Sequence, residues 1–173
     1  MIHRNILVVD DSPDWRDLFR ASLLRSNYRV ETAASYTEAI EKLSGNQIEL
    51  VIVDLRLDMV DEDNRDGMTL LQDLHQRGIN ALVITGYGTA TLQQQAKTLK
   101  AITFIAKTVI GRSADKLKQI VNEIFLEMEN RDRKRTELNE AFMRGEATGY
   151  PADAAGYPLA DPLSEKVDTI LDS

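Results

Sequence analysis

Four short apolar segments, separated by stretches long enough for helices, constrain the fold more than any other feature of this sequence. The segments are Ile6–Val9, Leu50–Val53, Ala81–Ile84 and Ile102–Ala106. Short apolar runs flanked by helical periodicity are typical of strands that are buried on both faces of a parallel sheet. In such a sheet, ligands bind outside the carboxyl ends of the strands. We therefore expect the residues that follow these segments to converge at one edge.

Each of the four segments is followed by residues whose side chains can carry chemistry. They are, in chain order, Asp10 with Asp11, Asp54, Thr85 with Gly86, and Lys107. Carboxylates held close together repel one another unless a cation joins them. A set of oxygen donors without Cys or His suits Mg²⁺. A cation, a free carboxylate, a hydroxyl and an ammonium group together make a site for a phosphoryl group.

Helical periodicity between the segments completes an alternating pattern of five strands and five helices. Ser12 and Pro13 begin the first helix, and Ser35 with Glu38 forms a capping box for the second. Strands two, three and five are predicted at 29–33, 50–54 and 103–107, and the helices at 13–26, 35–45, 68–77, 90–99 and from 114. This alternation predicts an α/β fold, a doubly wound five-stranded parallel sheet of flavodoxin-like type.

The polar residues at the strand ends resemble those of the receiver domain of two-component response regulators. The pair Asp10-Asp11, then Asp54, Thr85-Gly86 and Lys107 occur in the order and at the strand ends typical of that family. The resemblance covers about residues 4–127. It implies that Asp54 is the phosphoacceptor, which takes a phosphoryl group from a phosphohistidine of a sensor histidine kinase or a histidine phosphotransferase.

The resemblance also implies roles for the neighbouring residues. Mg²⁺ would be held by Asp10, Asp11, Asp54 and the backbone carbonyl of Arg56. Lys107 would pair with one phosphoryl oxygen, Thr85 would donate its hydroxyl to another, and the small Gly86 would leave access to Thr85. Thr85 and the aromatic residue of strand five, Phe104, would form the switch that changes protein contacts on phosphorylation.

Two features depart from the family pattern. Thr108 follows Lys107 where the family commonly has proline after a cis peptide bond, so we expect a trans bond there. The loop after Asp54 carries an acidic insertion between Leu57 and Asp66, which we expect to be exposed. A second cation site in this insertion is disfavoured, because the spacing lacks the full EF-hand pattern.

The chain divides by composition into three segments. Residues 1–128 form the predicted receiver domain, 129–143 a charged extension of the last helix, and 144–173 a tail rich in Gly, Tyr and Pro. Leu163, Val167, Ile170 and Leu171 predict a short amphipathic helix over 161–173. This helix would dock on its own chain or on a partner, with the face of helix four, strand five and helix five as the natural target. A disordered tail is the alternative.

Composition narrows the function classes. The net charge of −7 argues against a nucleic-acid-binding surface, and no apolar stretch is long enough to span a membrane. With no Cys, no disulfide or thiolate site is formed, and the N-terminus lacks a secretory segment, so we expect a cytoplasmic protein.

We expect a stand-alone signalling receiver that acts through a downstream protein target, has no DNA-binding output domain and catalyses only its own phosphorylation and dephosphorylation. A homodimer is left open. An inert adaptor with a receiver fold and a metal-dependent aspartyl phosphohydrolase are the alternatives.

Overall fold

The computed structural model of the chain describes residues 4–24, 28–57, 65–86, 88–146 and 160–173. The strands are β1 (Asn5–Val9), β2 (Arg29–Ala33), β3 (Leu50–Val53), β4 (Asn80–Thr85) and β5 (Phe104–Ala106). The helices are α1 (Pro13–Leu24), α2 (Tyr36–Gly45), α3 (Asp66–Arg77), α4 (Ala90–Thr98), α5 (Lys107–Arg112), α6 (Ala114–Met143) and α7 (Ala160–Asp172). Among these residues, no helix is both long enough and apolar enough to cross a membrane.

The strands form one parallel sheet in the order β2-β1-β3-β4-β5, which confirms the predicted doubly wound fold. Val9 of β1 lies in register with Val53 of β3, so the residues that follow these strands are neighbours at the carboxyl edge. Thr85 of β4 is paired with Ala106 of β5 at the same edge. The register thus brings the predicted site residues to one end of the sheet.

Alternating strand residues divide the core into two apolar clusters, one on each face of the sheet. Ile6 and Val8 face the cluster that contains α1, α5, α6 and α7. Leu7 and Val9 face the cluster that contains α2, α3 and α4. All four side chains are fully buried, which explains why the strand reads as a continuous apolar run rather than an alternating one.

The start of α3 depends on a glycine. A Cβ on Gly67 would collide with the backbone carbonyl oxygen of Asp54 and would lie 2.5 Å from the Cα of Leu55. Gly67 therefore allows the first turn of α3 to pack directly on the backbone that follows β3. The acidic insertion before it falls mostly on residues 58–64, which lie outside the described residues.

The segment after β5 differs from the sequence-based expectation. Strand five was predicted to end at Lys107, but β5 ends at Ala106 and Lys107 is the first residue of the short helix α5. Ile110 of α5 is fully buried in the first cluster, and this packing stabilises six residues that have little intrinsic tendency to form a helix. The described residues contain no cis peptide bond, so the bond before Thr108 is trans as predicted.

The last two helices form an antiparallel pair. The fifth helix predicted from the sequence corresponds to α6. Its predicted extension is present, because α6 continues without a break to Met143. Leu163 and Val167 of α7 are fully buried in the first cluster. Lys116 Nζ donates to the backbone oxygen of Leu171 at 2.8 Å, so the end of α7 lies beside the beginning of α6. The tail helix thus docks on its own chain, along α6.

Candidate functional site

The carboxylate of Asp54 is the centre of the site. It follows β3 and is 4% exposed. The hydroxyl of Thr85 donates to its Oδ1 at 2.7 Å, and the backbone N–H of Arg56 donates to the same oxygen at 3.2 Å. The ammonium group of Lys107 lies 2.5 Å from its Oδ2. Both oxygens of Asp54 are therefore held by groups that could equally bind oxygens of an attached phosphoryl group.

Asp10 is the second buried carboxylate. Its Oδ2 lies 2.7 Å from Lys107 Nζ, and its Oδ1 accepts the backbone N–H of Ser12 at 3.0 Å. Burial raises the pKa of Asp10 from its usual 3.8 to about 6, although the Lys107 ammonium opposes this shift. One ammonium group thus compensates two carboxylates, and the pocket carries excess negative charge.

Asp11 is the third carboxylate of the site, and Arg16 holds the backbone of Asp10 and Asp11. The Arg16 guanidinium donates to the backbone carbonyl of Asp10 at 2.6 Å and to that of Asp11 at 2.9 Å. Arg16 therefore orders the loop without using either carboxylate as its partner. Arg16 was not predicted from the sequence as a site residue, because an arginine in the first turns of a helix carries no local signal of such contacts.

The three carboxylates fit a divalent cation. One oxygen from each of Asp10, Asp11 and Asp54 lies within 4.8 Å of the others. The Asp10 Oδ2 atom is buried and has no aligned hydrogen bond, although it pairs electrostatically with Lys107. Hard oxygen donors in a partly open pocket suit Mg²⁺, which keeps several waters. The carbonyl of Arg56 stays a predicted ligand.

Trp15 lies against the lysine that pairs with both aspartates. The Lys107 Nζ atom is 5.3 Å from the centroid of the Trp15 ring, within the range of a cation–π contact. One turn further along α5, a Cβ on Gly111 would lie 3.1 Å from the Trp15 ring. The indole therefore packs on the face of α5 that carries Lys107. This contact could not be predicted from the sequence, because α5 was not predicted.

The predicted switch residue Phe104 lies near the loop that follows Thr85. Its half-buried ring belongs to the second cluster, and a Cβ on Gly88 would lie 2.8 Å from its Cε1 atom. A Cβ on Gly86 would lie at an ordinary 3.9 Å from Lys107 Cδ, so packing alone does not require glycine there. The structure thus brings Asp10, Asp11, Asp54, Thr85 and Lys107 together and puts Phe104 against the neighbouring loop.

Comparison with known proteins shows the family of the chain. The family model described as response regulator receiver domain matches residues 6–122, more than half of the chain. The chain belongs to the response-regulator receiver family. As a receiver, it has the family's five-stranded parallel sheet and, in addition, a long C-terminal helix.

Named relatives differ in how much of their length this receiver covers. It is 33% identical over 115 residues to the response regulator protein PilR of Pseudomonas aeruginosa, covering 65% of this chain and 25% of PilR. Sporulation initiation phosphotransferase F of Bacillus subtilis is 27% identical over 109 residues, covering 62% of this chain and 84% of that protein. The crystal structure of NtrX from Brucella abortus superposes with a TM-score of 0.67 at 27% identity, covering 88% of this chain and 32% of NtrX.

The receiver spans about a quarter of the length of several curated relatives that it matches. The match to NtrX extends over more of this chain than the receiver-family match itself. The similarity to NtrX therefore includes residues outside 6–122.

Proposed function

We propose that this receiver accepts a phosphoryl group on Asp54 in a two-component phosphorelay. The observation that supports this most strongly is the Asp54 carboxylate, held on one oxygen by Thr85 and on the other by Lys107, beside Asp10 and Asp11. Each group that phosphoryl transfer to a carboxylate requires has a residue here: nucleophile, hydroxyl donor, ammonium and cation ligands.

The proposed reaction is a displacement at phosphorus. A carboxylate oxygen of Asp54 attacks the phosphorus of a phosphohistidine, an O–P bond forms, and the N–P bond to the imidazole breaks. The released imidazole nitrogen takes a proton from solvent. As the phosphoryl group arrives, Lys107 and Thr85 exchange their bonds to the carboxylate for bonds to phosphoryl oxygens, and both side chains are already within reach.

Mg²⁺ is the proposed cofactor. Asp10, Asp11 and Asp54 would hold it, together with the carbonyl of Arg56, and the ion would neutralise charge on the phosphoryl oxygens. Before a phosphoryl group arrives, Lys107 would continue to pair with the Asp10 and Asp54 carboxylates.

Receiver domains interact with histidine kinases and phosphotransfer partners, and a relative of this chain is named a phosphotransferase. We propose such a kinase or phosphotransferase as the donor, in the cytoplasm where ATP charges it. The output we propose is a changed contact with a protein target, through Thr85 and the adjacent Phe104, with no catalysis beyond the chain's own phosphorylation and dephosphorylation.

The proposal is tested by labelling the full chain with a small phosphodonor such as phosphoramidate, with and without Mg²⁺. Mass spectrometry should show one added phosphoryl group that hydroxylamine removes, as expected of an acyl phosphate. Asp54→Asn should abolish the label, whereas Asp14→Asn, which changes an exposed carboxylate of α1, should retain it.

The two alternatives give different results in the same experiment. An inert adaptor would show no Mg²⁺-dependent label on the folded wild-type chain. An aspartyl phosphohydrolase would turn over many equivalents of a phosphomonoester substrate per chain. Labelling of Asp54→Asn equal to that of the wild type would contradict Asp54 as the phosphoacceptor.

A further inference from the structure

The two flanks of α6 have different neighbours. On one flank, Asn122 accepts a hydrogen bond from the Tyr28 hydroxyl, and Glu129 accepts one from Arg4, so this flank faces the ends of β1 and β2. On the other flank, Glu123 and Glu127 pair with Lys166 of α7. With about 100° of rotation per residue, the two flanks are about 130° apart on the helix.

The flank that contacts α7 lies toward the other end of the sheet. The strand order is β2-β1-β3-β4-β5, and the opposite flank of α6 faces β1 and β2. The flank that carries Glu123 and Glu127, which we call the α7-binding flank, therefore faces the β5 end. Here β5 is an edge strand of three residues.

The contact between α7 and this flank combines buried apolar residues with exposed ion pairs. Leu163 and Val167 are fully buried, while Ile170 and Leu171 are partly buried against the same cluster. The Lys166 ammonium lies 2.6 Å from a carboxylate oxygen of Glu123 and is half-exposed. A 13-residue helix with one apolar stripe depends on tertiary contact for its order. A helix held in this way is suited to leave and return as a unit.

The α7-binding flank continues along α6 beyond the glutamates. Lys134 lies in line with Glu127 along the helix and is exposed, and Leu138 follows one turn later with 47% of its surface exposed. If a second α6 lay antiparallel on this flank, with the two-fold axis near residues 130 and 131, Glu127 of each copy would face Lys134 of the other. A parallel pair would instead put Glu127 opposite Glu127 and Lys134 opposite Lys134.

We propose that α7 covers a self-association surface: when α7 leaves, the α7-binding flank of α6 pairs antiparallel with the same flank of a second copy. A two-fold pair of this kind is isologous, so each Glu127–Lys134 contact occurs twice. The apolar area that Leu163 and Val167 now cover would be buried again by the second helix. This self-association does not depend on the chemistry at Asp54.

The first test displaces α7 in the full chain. Val167→Asp puts a carboxylate into the buried contact, and Thr169→Asp puts the same group on the exposed side of α7 as a matched control. We expect fast hydrogen exchange of amides 163–171 in Val167→Asp alone. Sedimentation velocity should then give a dimer dissociation constant at least tenfold lower for Val167→Asp than for Thr169→Asp.

The second test checks the arrangement of the dimer. In the Val167→Asp chain, Lys134→Glu should weaken dimerisation at least tenfold, because it faces Glu127, and adding Glu127→Lys should restore it. Lys166→Glu releases α7 by repulsion from Glu123 and Glu127 without burying a charge, and it serves as a second way to displace the helix.

Each part of the proposal can be refuted by one of these measurements. If amides 163–171 exchange freely in Val167→Asp or Lys166→Glu and the chain stays monomeric, the self-association surface is refuted. If α7 stays protected in both variants, it is not displaceable and the proposal also fails. A dimer that is indifferent to Lys134→Glu would overturn the antiparallel arrangement.

Discussion

At the scale of single residues, charge balance dominates the site. Lys107 is 7% exposed and compensates both Asp10 and Asp54. Removing one partner of a buried ion pair typically costs about 3–5 kcal/mol, because the remaining charge is left uncompensated. The sequence predicted the residue types that meet here, since strand ends share an edge. It could not predict the contacts of Arg16 and Trp15, because these contacts depend on the path of the loop after Asp11 and on α5.

The first prediction concerns Lys107→Met. Without metal, the variant should lose roughly 3 kcal/mol in the free energy of unfolding, because Asp10 and Asp54 then face each other without an ammonium group. Saturating Mg²⁺ should return more stability to the variant than to the wild type, since the cation replaces the missing charge. Urea denaturation with EDTA or with Mg²⁺ measures both effects.

Lys97→Met, at an exposed position of α4, is the control and should change little in either condition. If Lys107→Met were as stable as the control in EDTA, the ion pairs would not contribute as the structure indicates.

The second prediction follows from the raised pKa of Asp10, which burial moves to about 6. The folded chain binds this proton more tightly than the unfolded chain, so the contribution of Asp10 to the free energy of unfolding decreases as pH rises from about 4 to about 6. Asp10→Asn removes the charge and should be more stable than the wild type by roughly 2–3 kcal/mol at pH 7 without metal. The two proteins should converge near pH 4.

The measurement is urea denaturation of both proteins in EDTA between pH 4 and pH 7.5. A difference between them that stays constant across this range would show that Asp10 titrates as an ordinary exposed carboxylate.

At the scale of elements, close backbone contact determines where α3 can begin. Gly67→Ala should lower the free energy of unfolding by about 1–3 kcal/mol or more, because the new methyl group meets the backbone of Asp54 and Leu55. Gly45→Ala is the matched control: nothing lies within 4 Å of its added Cβ at the end of α2. The control should be neutral or stabilising by up to about 1 kcal/mol. Equal effects in thermal or urea denaturation would contradict this role of Gly67.

The sequence pattern predicts β1, β3 and α7 but not the short helix α5. β1 and β3 consist of apolar residues buried on both faces, so their sequence pattern predicts them directly. The predicted tail helix over 161–173 agrees closely with α7 at Ala160–Asp172, because its apolar stripe has helical spacing. The six residues of α5 include β-branched residues and a glycine, and they form a helix because Ile110 is buried and Trp15 packs on Gly111. That is tertiary information, which a local pattern does not contain.

At the scale of the whole molecule, stability should be unevenly distributed. Fully burying Leu163 and Val167 contributes about 1.5–3 kcal/mol each, and ordering the helix and the chain that leads to it offsets much of this gain. Strands β1 and β3 are buried in the centre of the sheet and should open only when the whole domain unfolds.

Native-state hydrogen exchange should therefore reveal two levels of protection in the wild type. Amides 163–171 should exchange with a free energy several kcal/mol below that of amides 6–9 and 50–53. Only the second group should follow the global unfolding free energy as urea is added. Equal protection of the two groups would mean that α7 is part of the cooperative core.

The thirty residues of α6 also have a mechanical consequence. At 1.5 Å per residue the helix is about 45 Å long, and α7 runs beside only its first half. The last twelve or so residues form an arm of about 18 Å beyond that support. A tilt of about 10° at the supported end would move the tip by roughly 3 Å, about the length of a hydrogen bond. Arg4 and Asn80, at the amino ends of β1 and β4, contact Glu129 and Met128 close to where this arm begins. A small rearrangement at that edge of the sheet would thus be amplified into a displacement large enough to make or break a contact at the far end of the arm.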